Sequence, residues 1–310
     1  MPRLFLIGFL IGCAGQNGAG IEGEPEQVGG VAIPTETSSG FCPDMTASQT
    51  TSFESSGEDR VVTIVTPQEI EEEMPMVFFF HGLLDPQSTP RPTEYMASAL
   101  NLQSLADDMG VLIALPQSKT LNRLGFEFFM WDVEVGGNLD LVLFDDLRAC
   151  AYDQMGIDLT RVHSMGFSGG ALFSTVVASE RGELLASLVE ISGGSDITMP
   201  TFEEPISQYE TPQNTMPSLL ISGGEQDQWP GGGITLVDFT VATNTLEDSL
   251  IRDGHFVVRC EHTQGHTITM DAYNAAKQWI ELHQFGEPSP IQIDGLSEYS
   301  AYEGWCEVSD

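Results

Sequence analysis

Basic residues are scarce in this chain. Lys and Arg number 11 against 46 Asp and Glu, giving a formal charge of -35 over 310 residues. A surface of that sign repels phosphate backbones and anionic lipid, which excludes nucleic acid and a charged bilayer surface as partners. The acidic residues are scattered rather than gathered in a tail, so they read as a solvated surface. The apolar run from Leu4 to Ile11 is too short to cross a bilayer. Cysteine is sparse and forms no C-x-x-C pair, and the histidines are not grouped, so no metal site is expected. A P-loop and a Rossmann dinucleotide turn are both missing, so no organic cofactor is assigned. No internal repeat divides the chain.

What is present begins with export signals. Arg3 precedes the run Leu4 to Ile11, which suits the apolar core of a signal peptide. Leu10-Ile11-Gly12-Cys13 resembles a bacterial lipobox, and Ala14 after it is similar to lipoproteins sorted to the outer membrane. The expected organisation is a signal peptide over 1–12, a flexible acidic tether over 13–40, one catalytic domain over 41–286 and a tail over 287–310 that packs back. Membrane contact is then made only through a lipid anchor at Cys13, on an outer-membrane lipoprotein or a secreted protein. Cys42, Cys150, Cys260 and Cys306 would remain, enough for two disulfides in three connectivities.

The body alternates strand and helix signals, which predicts an α/β fold with a mostly parallel central sheet and helices on both faces. Arg60 to Thr66 alternates as an edge strand would. Met76 to Phe80 is continuously apolar, as in a strand buried on both sides. Further strands are read over Val111–Leu115, Val162–Met165, Leu185–Ile191, Ser218–Ile221 and Phe256–Arg259. Helices are read over Thr93–Met109, Asn138–Met155 with Asn138 as N-cap, Ala171–Ala178 and Asp271–Phe285.

The stretch that organises the rest is Gly166-Phe167-Ser168-Gly169-Gly170, a G-x-S-x-G between a strand and a helix. That context is what a nucleophile elbow needs: a strained turn that projects a serine at a helix N-terminus. Ser168 is the candidate nucleophile. A serine needs a base, and the base needs an acid that fixes its tautomer. Asp227, in the Gly-rich loop after Ser218–Ile221, is the candidate acid, ahead of Asp196 and Glu225. His266, after Gly265, is the candidate base, and His262 is left to structure. The order Ser168, Asp227, His266 is the one found in α/β-hydrolases. The oxyanion would be met by the backbone N–H groups of Leu83, after His81-Gly82, and of Gly169. His81 is expected to anchor that loop. Trp131, in the aromatic run Phe126, Phe128, Phe129, Met130, and Trp229, beside Pro230, are candidate substrate walls. Gly231-Gly232-Gly233 would let the Trp229 loop move.

Phe80-His81-Gly82, the elbow, Gly-x-x-Asp at Asp227 and Gly-His at His266 resemble the α/β-hydrolase superfamily. More narrowly, Asp145 to Cys150 followed by Ile157 to Val162, and Cys260-Glu261-His262, resemble secreted esterases grouped with polyhydroxybutyrate depolymerases and feruloyl or acetylxylan esterases. The resemblance covers about Val61 to Phe285. It departs at Gly169, where the depolymerases carry Asn, and at Thr267-Ile268, where they carry Trp-Pro. It implies an extracytoplasmic carboxylic ester hydrolase acting on a small or polymeric ester through an acyl-enzyme. A serine peptidase or amidase, or a non-catalytic surface module, are the alternatives.

Overall fold

The computed structural model describes residues 26–123, 125–133, 138–200, 202–231 and 234–310. The expected signal peptide, Cys13, the first half of the tether and the Gly232-Gly233 pair lie outside the described residues.

In chain order the main elements are β1 (Gln49–Ser55), β2 (Glu58–Val65), β3 (Met76–Phe80), α1 (Pro92–Ala99), α2 (Leu102–Met109) and β4 (Leu112–Pro116). A hairpin follows, β5 (Lys119–Arg123) and β6 (Phe126–Met130), and then α3 (Leu139–Met155). Next come β7 (Val162–Phe167), α4 (Gly169–Arg181), β8 (Ser187–Ile191) and β9 (Ser218–Ser222). A second hairpin, β10 (Gln228–Gly231) and β11 (Ile234–Asp238), leads into α5 (Phe239–Arg252). The last elements are β12 (Val257–Glu261), α6 (Met270–Leu282) and β13 (Cys306–Val308).

Nine strands form one sheet in the order β13-β12-β9-β8-β7-β3-β4-β2-β1. The six from β12 to β4 run parallel. Antiparallel strands close both sides, β13 on one and β2 with β1 on the other. All five residues of β3 are buried, as a strand covered on both faces requires. Met76, Phe78 and Phe80 pack with Phe144 of α3 and Phe173 of α4. Val77 and Phe79 point the other way, into a core shared with Leu105 of α2 and Trp279 of α6. The alternation follows from the two-residue period of a strand. It leaves the carboxyl ends of the parallel strands as the rim where loops meet.

Four local expectations change. The edge strand is β1, not the stretch from Arg60, because a two-residue turn at Ser56 and Gly57 folds β1 back onto β2. Both turn residues have positive φ, the geometry that suits a tight hairpin. The helix expected over Thr93–Met109 is two helices, broken where Asn101 turns left-handed at φ 49. Asparagine tolerates that region better than most residues. The aromatic run from Phe126 is a hairpin strand rather than a loop. Finally, the tether's described part is not free. Val31 is fully buried, and Ser38 donates its backbone N–H and its hydroxyl to Asp146 of α3.

Asn138 caps α3 as expected, accepting N–H bonds from Asp140 and Leu141. The cysteines pair as Cys42–Cys150 and Cys260–Cys306. The second bridge joins β12 to β13 and ties down the tail, where Tyr302 is buried and donates its hydroxyl to the Ala275 carbonyl. The first closes a sequence separation of 108 residues. A loop of that order restricts the unfolded chain by several kcal/mol in the chain-entropy account. Replacing Cys42 and Cys150 together by alanine should therefore lower the unfolding free energy by roughly 2–5 kcal/mol in denaturant titrations. An unchanged midpoint would show that the bridge does not constrain the chain.

Candidate active site

Strand β7 ends at Phe167, and Ser168 turns with φ 56 and ψ -126 before α4 begins at Gly169. Few non-glycine residues adopt a positive φ, and such strain concentrates at functional sites. The turn fits only because its flanks are glycine. A Cβ on Gly166 would overlap the Gly170 carbonyl, and one on Gly170 would overlap the Phe80 carbonyl. The spacing read from the sequence thus has a steric cause.

The hydroxyl of Ser168 lies 2.8 Å from Nε2 of His266. Nδ1 of His266 lies 2.7 Å from Oδ1 of Asp227. A carboxylate can only accept, so Nδ1 carries the proton and Nε2 faces the serine as an acceptor. Serine, histidine and aspartate come from the loops after β7, β12 and β9. Asp227 is fully buried, Ser168 is 6% exposed, and the His266 side chain is 19% exposed. Asp196 and Glu225, the alternative acids, are both exposed. His262 stays outside the constellation, where its Nδ1 accepts the Gln264 N–H.

Several partners were not read from the sequence. Ser192, directly after β8, donates its hydroxyl to Oδ2 of Asp227 at 2.8 Å, and the Gly223 N–H donates to the same oxygen at 2.7 Å. Its place at a strand's carboxyl end was the available signal. The His266 ring is stacked between Phe167, at 5.0 Å, and Phe239, at 4.4 Å. Phe239 starts α5, a helix whose Thr-rich sequence hides its apolar face of Phe239, Ala242, Leu246 and Leu250. The acid and histidine loops touch at Gly223 and Gly265, where a Cβ on Gly223 would overlap the Gly265 backbone.

Gly82 passes against the serine, so that a Cβ there would lie 3.1 Å from Cβ of Ser168. A Cβ on Gly169 would lie 3.3 Å from the Leu83 nitrogen. The two amides expected to meet an oxyanion are therefore neighbours beside the hydroxyl. His81 anchors their loop. Its Nε2 accepts the Ser118 N–H at 3.2 Å, and its Nδ1 donates to the Gly82 carbonyl at 2.7 Å. Burial pushes its pKa down to about 4, so the ring is neutral. Trp131 donates its indole N–H to the His81 carbonyl at 2.8 Å, and Phe129 donates its N–H to the Leu84 carbonyl at 2.8 Å.

Both tryptophans line a cavity that opens at Ser168. Trp131 is 2% exposed and stacks on Phe173 at 4.9 Å, so most of it is core. Trp229 is half-buried and meets Phe128 edge-on at 6.5 Å. Among the described residues, no three His, Cys, Asp or Glu side chains are grouped to hold a metal ion.

Behind the elbow sits a buried acid. Glu190 of β8 lies 2.5 Å from the Thr175 hydroxyl of α4 and accepts the Gly194 N–H at 2.7 Å. Thr175 also reaches the Gly194 carbonyl at 3.0 Å. Burial raises its pKa to about 8, against the opposing hydrogen bonds of Thr175 and Gly194. It ties the helix behind Ser168 to the loop that carries Ser192.

This is the α/β-hydrolase fold. Solved structures agree. A protein named sOPH, in its native form, is similar at 17% identity with a TM-score of 0.65, covering 88% of this chain and 98% of that one. A thermostable esterase is similar at 16% identity and a TM-score of 0.54, covering 77% of this chain and 64% of its own. A ferulic acid esterase is similar at 11% identity and a TM-score of 0.54, covering 76% and 96%. No protein-family model matches the chain, and no curated protein sequence does.

Glu190 gives a prediction with a definite sign. Its folded pKa lies above the ordinary glutamate value of 4.5, so folding takes up a proton and stability falls as pH rises from about 4.5 to about 8. The slope from one such group is roughly 1.4 kcal/mol per pH unit. Glu190→Gln should remove it, so the variant gains on the wild type steadily between those limits in urea titrations. A stability difference independent of pH would contradict a neutral buried acid.

Proposed function

We propose that the chain is an extracytoplasmic serine hydrolase that cleaves carboxylic esters through Ser168, His266 and Asp227. One observation carries the reading: a hydroxyl, an imidazole and a carboxylate from three distant loops meet at 2.8 and 2.7 Å, the spacing that base catalysis needs. In the reaction, Nε2 of His266 takes the Ser168 proton as Oγ attacks the ester carbonyl carbon. The carbonyl oxygen becomes an oxyanion and is met by the N–H groups of Leu83 and Gly169. The tetrahedral intermediate collapses to an acyl-enzyme, and His266 returns the proton to the departing alkoxide. Water then attacks the acyl-enzyme with His266 again as base, which releases the carboxylic acid and restores Ser168. Asp227 holds the ring and stabilises its protonated form.

Two of the similar solved structures are named esterases, which supports the ester as substrate class. Location outside the cytoplasm is supported by the two disulfides, which persist in oxidising compartments, and by the signal and lipobox expected before residue 14. The acidic surface keeps nucleic acid away from the protein.

Ser168→Ala should lower kcat/KM on p-nitrophenyl butyrate by at least about 10³-fold with the fold intact by circular dichroism. Asp227→Asn should cost about 10⁴-fold in kcat, because the amide favours the wrong tautomer of His266. Wild-type rates in the folded Ser168→Ala variant would refute the reading.

A further inference from the structure

The space beside Ser168 carries information about what fills it. The cavity has a volume of about 540 Å³, within the range that encloses most of a small ligand. Its walls include Phe128 of β6, Trp229 of β10, Leu236 of β11, Leu172 of α4 and Phe202. Two hairpins, one following β4 and one following β9, thus border it and meet at Phe128 and Trp229. Among the described residues that line it, Ser168 has the only side-chain hydroxyl and none is charged. Of the two indole N–H groups present, that of Trp131 is already given to the His81 carbonyl. This apolar lining stands out in a chain with 46 acidic residues. An apolar track also leads outward, since Phe126, 65% exposed, lies 6.4 Å from Phe128.

The cavity's place around Ser168 says which half of an ester it takes. The leaving oxygen must receive its proton from Nε2 of His266, so that half faces the imidazole. His266 does not line the cavity, and Phe239 is stacked over its ring. Leu83 and Gly169, whose amides would hold the carbonyl oxygen, do line it. Because Phe239, a wall of the cavity, stands between it and the imidazole, the leaving half is directed away from the cavity and the acyl half enters it. A hydroxyl or charge on that half would be stripped of water, and among the described lining side chains the only polar groups besides the committed Trp131 indole are the Ser168 hydroxyl and the Trp229 indole N–H. Each methylene would instead gain apolar contact.

We infer that the substrate of this site is a neutral ester with an extended, unsubstituted hydrocarbon acyl chain, and that Phe128 and Trp229 set that preference. The inference rests on the esterase reading above. It departs from 3-hydroxybutyrate and ferulate, two of the acyl groups that the family resemblance implies beside acetate.

The test is kcat/KM over p-nitrophenyl acetate, butyrate, hexanoate and octanoate, with the 3-hydroxybutyrate and ferulate esters alongside. Each added methylene should raise kcat/KM by roughly fourfold until the cavity is filled. The 3-hydroxybutyrate ester should react about ten- to a hundredfold more slowly than butyrate. Phe128→Asp should cut the octanoate-to-acetate ratio at least about tenfold, and Trp229→Ala should lower the same ratio if the first variant does not fold. Acetate cleaved as fast as octanoate, or ferulate or 3-hydroxybutyrate preferred to butyrate, overturns the inference and leaves ester hydrolysis standing. A folded wild-type protein inert on the whole panel removes the esterase reading as well.

Discussion

One buried carboxylate gathers the rim of the sheet. Asp227 accepts from the His266 ring, the Ser192 hydroxyl and the Gly223 amide, which arrive from the ends of three adjacent parallel strands. A carboxylate taken out of water is costly unless donors replace the solvent, and hydrogen bonds to it are stronger than neutral ones. The three donors meet that need and in doing so fix where each loop lies. The position of Nε2 against Ser168 follows from them. So does the ring stack of Phe167 and Phe239, which would have nothing to clasp if the imidazole swung away.

The scaffold supports this convergence with a fully buried strand and an apolar cavity beside Ser168. Strand β3 is buried on both sides and sends its chain straight into the His81-Gly82-Leu83 loop. That loop is held at both ends, by the neutral His81 ring and by bonds from Trp131 and Phe129. The same β6 hairpin that braces the loop also walls the cavity, so a change in its aromatic side chains would reach both the Leu83 and Gly169 amides and the space beside Ser168. Glu190 braces the other side by joining α4 to the loop of Ser192.

The parts of the fold that were legible in the sequence are those set by local sterics and burial. The glycines around Ser168 could be read because nothing larger fits a strand and helix that approach so closely. Strands β3, β4 and β9 could be read because burial on both faces leaves unbroken apolar runs. Asn138 showed itself as a cap. What escaped was set by tertiary contact. Strand β1, Gln-Thr-Thr-Ser-Phe-Glu-Ser, is polar on its exposed face and is defined by its partner rather than by its own pattern. The hairpins that form the cavity read as aromatic loops. Ser192 and Phe239 have no motif of their own, and only the folded rim brings them to Asp227 and His266. The family resemblance drawn from motifs reached the fold, while the acyl preference is inferred from an apolar cavity that no motif marks.

The central claim is that Ser168 is the one hydroxyl made nucleophilic by its neighbours. It is tested most directly by treating the native protein with a serine-directed organophosphate and mapping the adduct by peptide mass. The account predicts one adduct per chain, on the peptide that carries Ser168. A folded protein that stays unlabelled, or that is labelled at another residue, would contradict it.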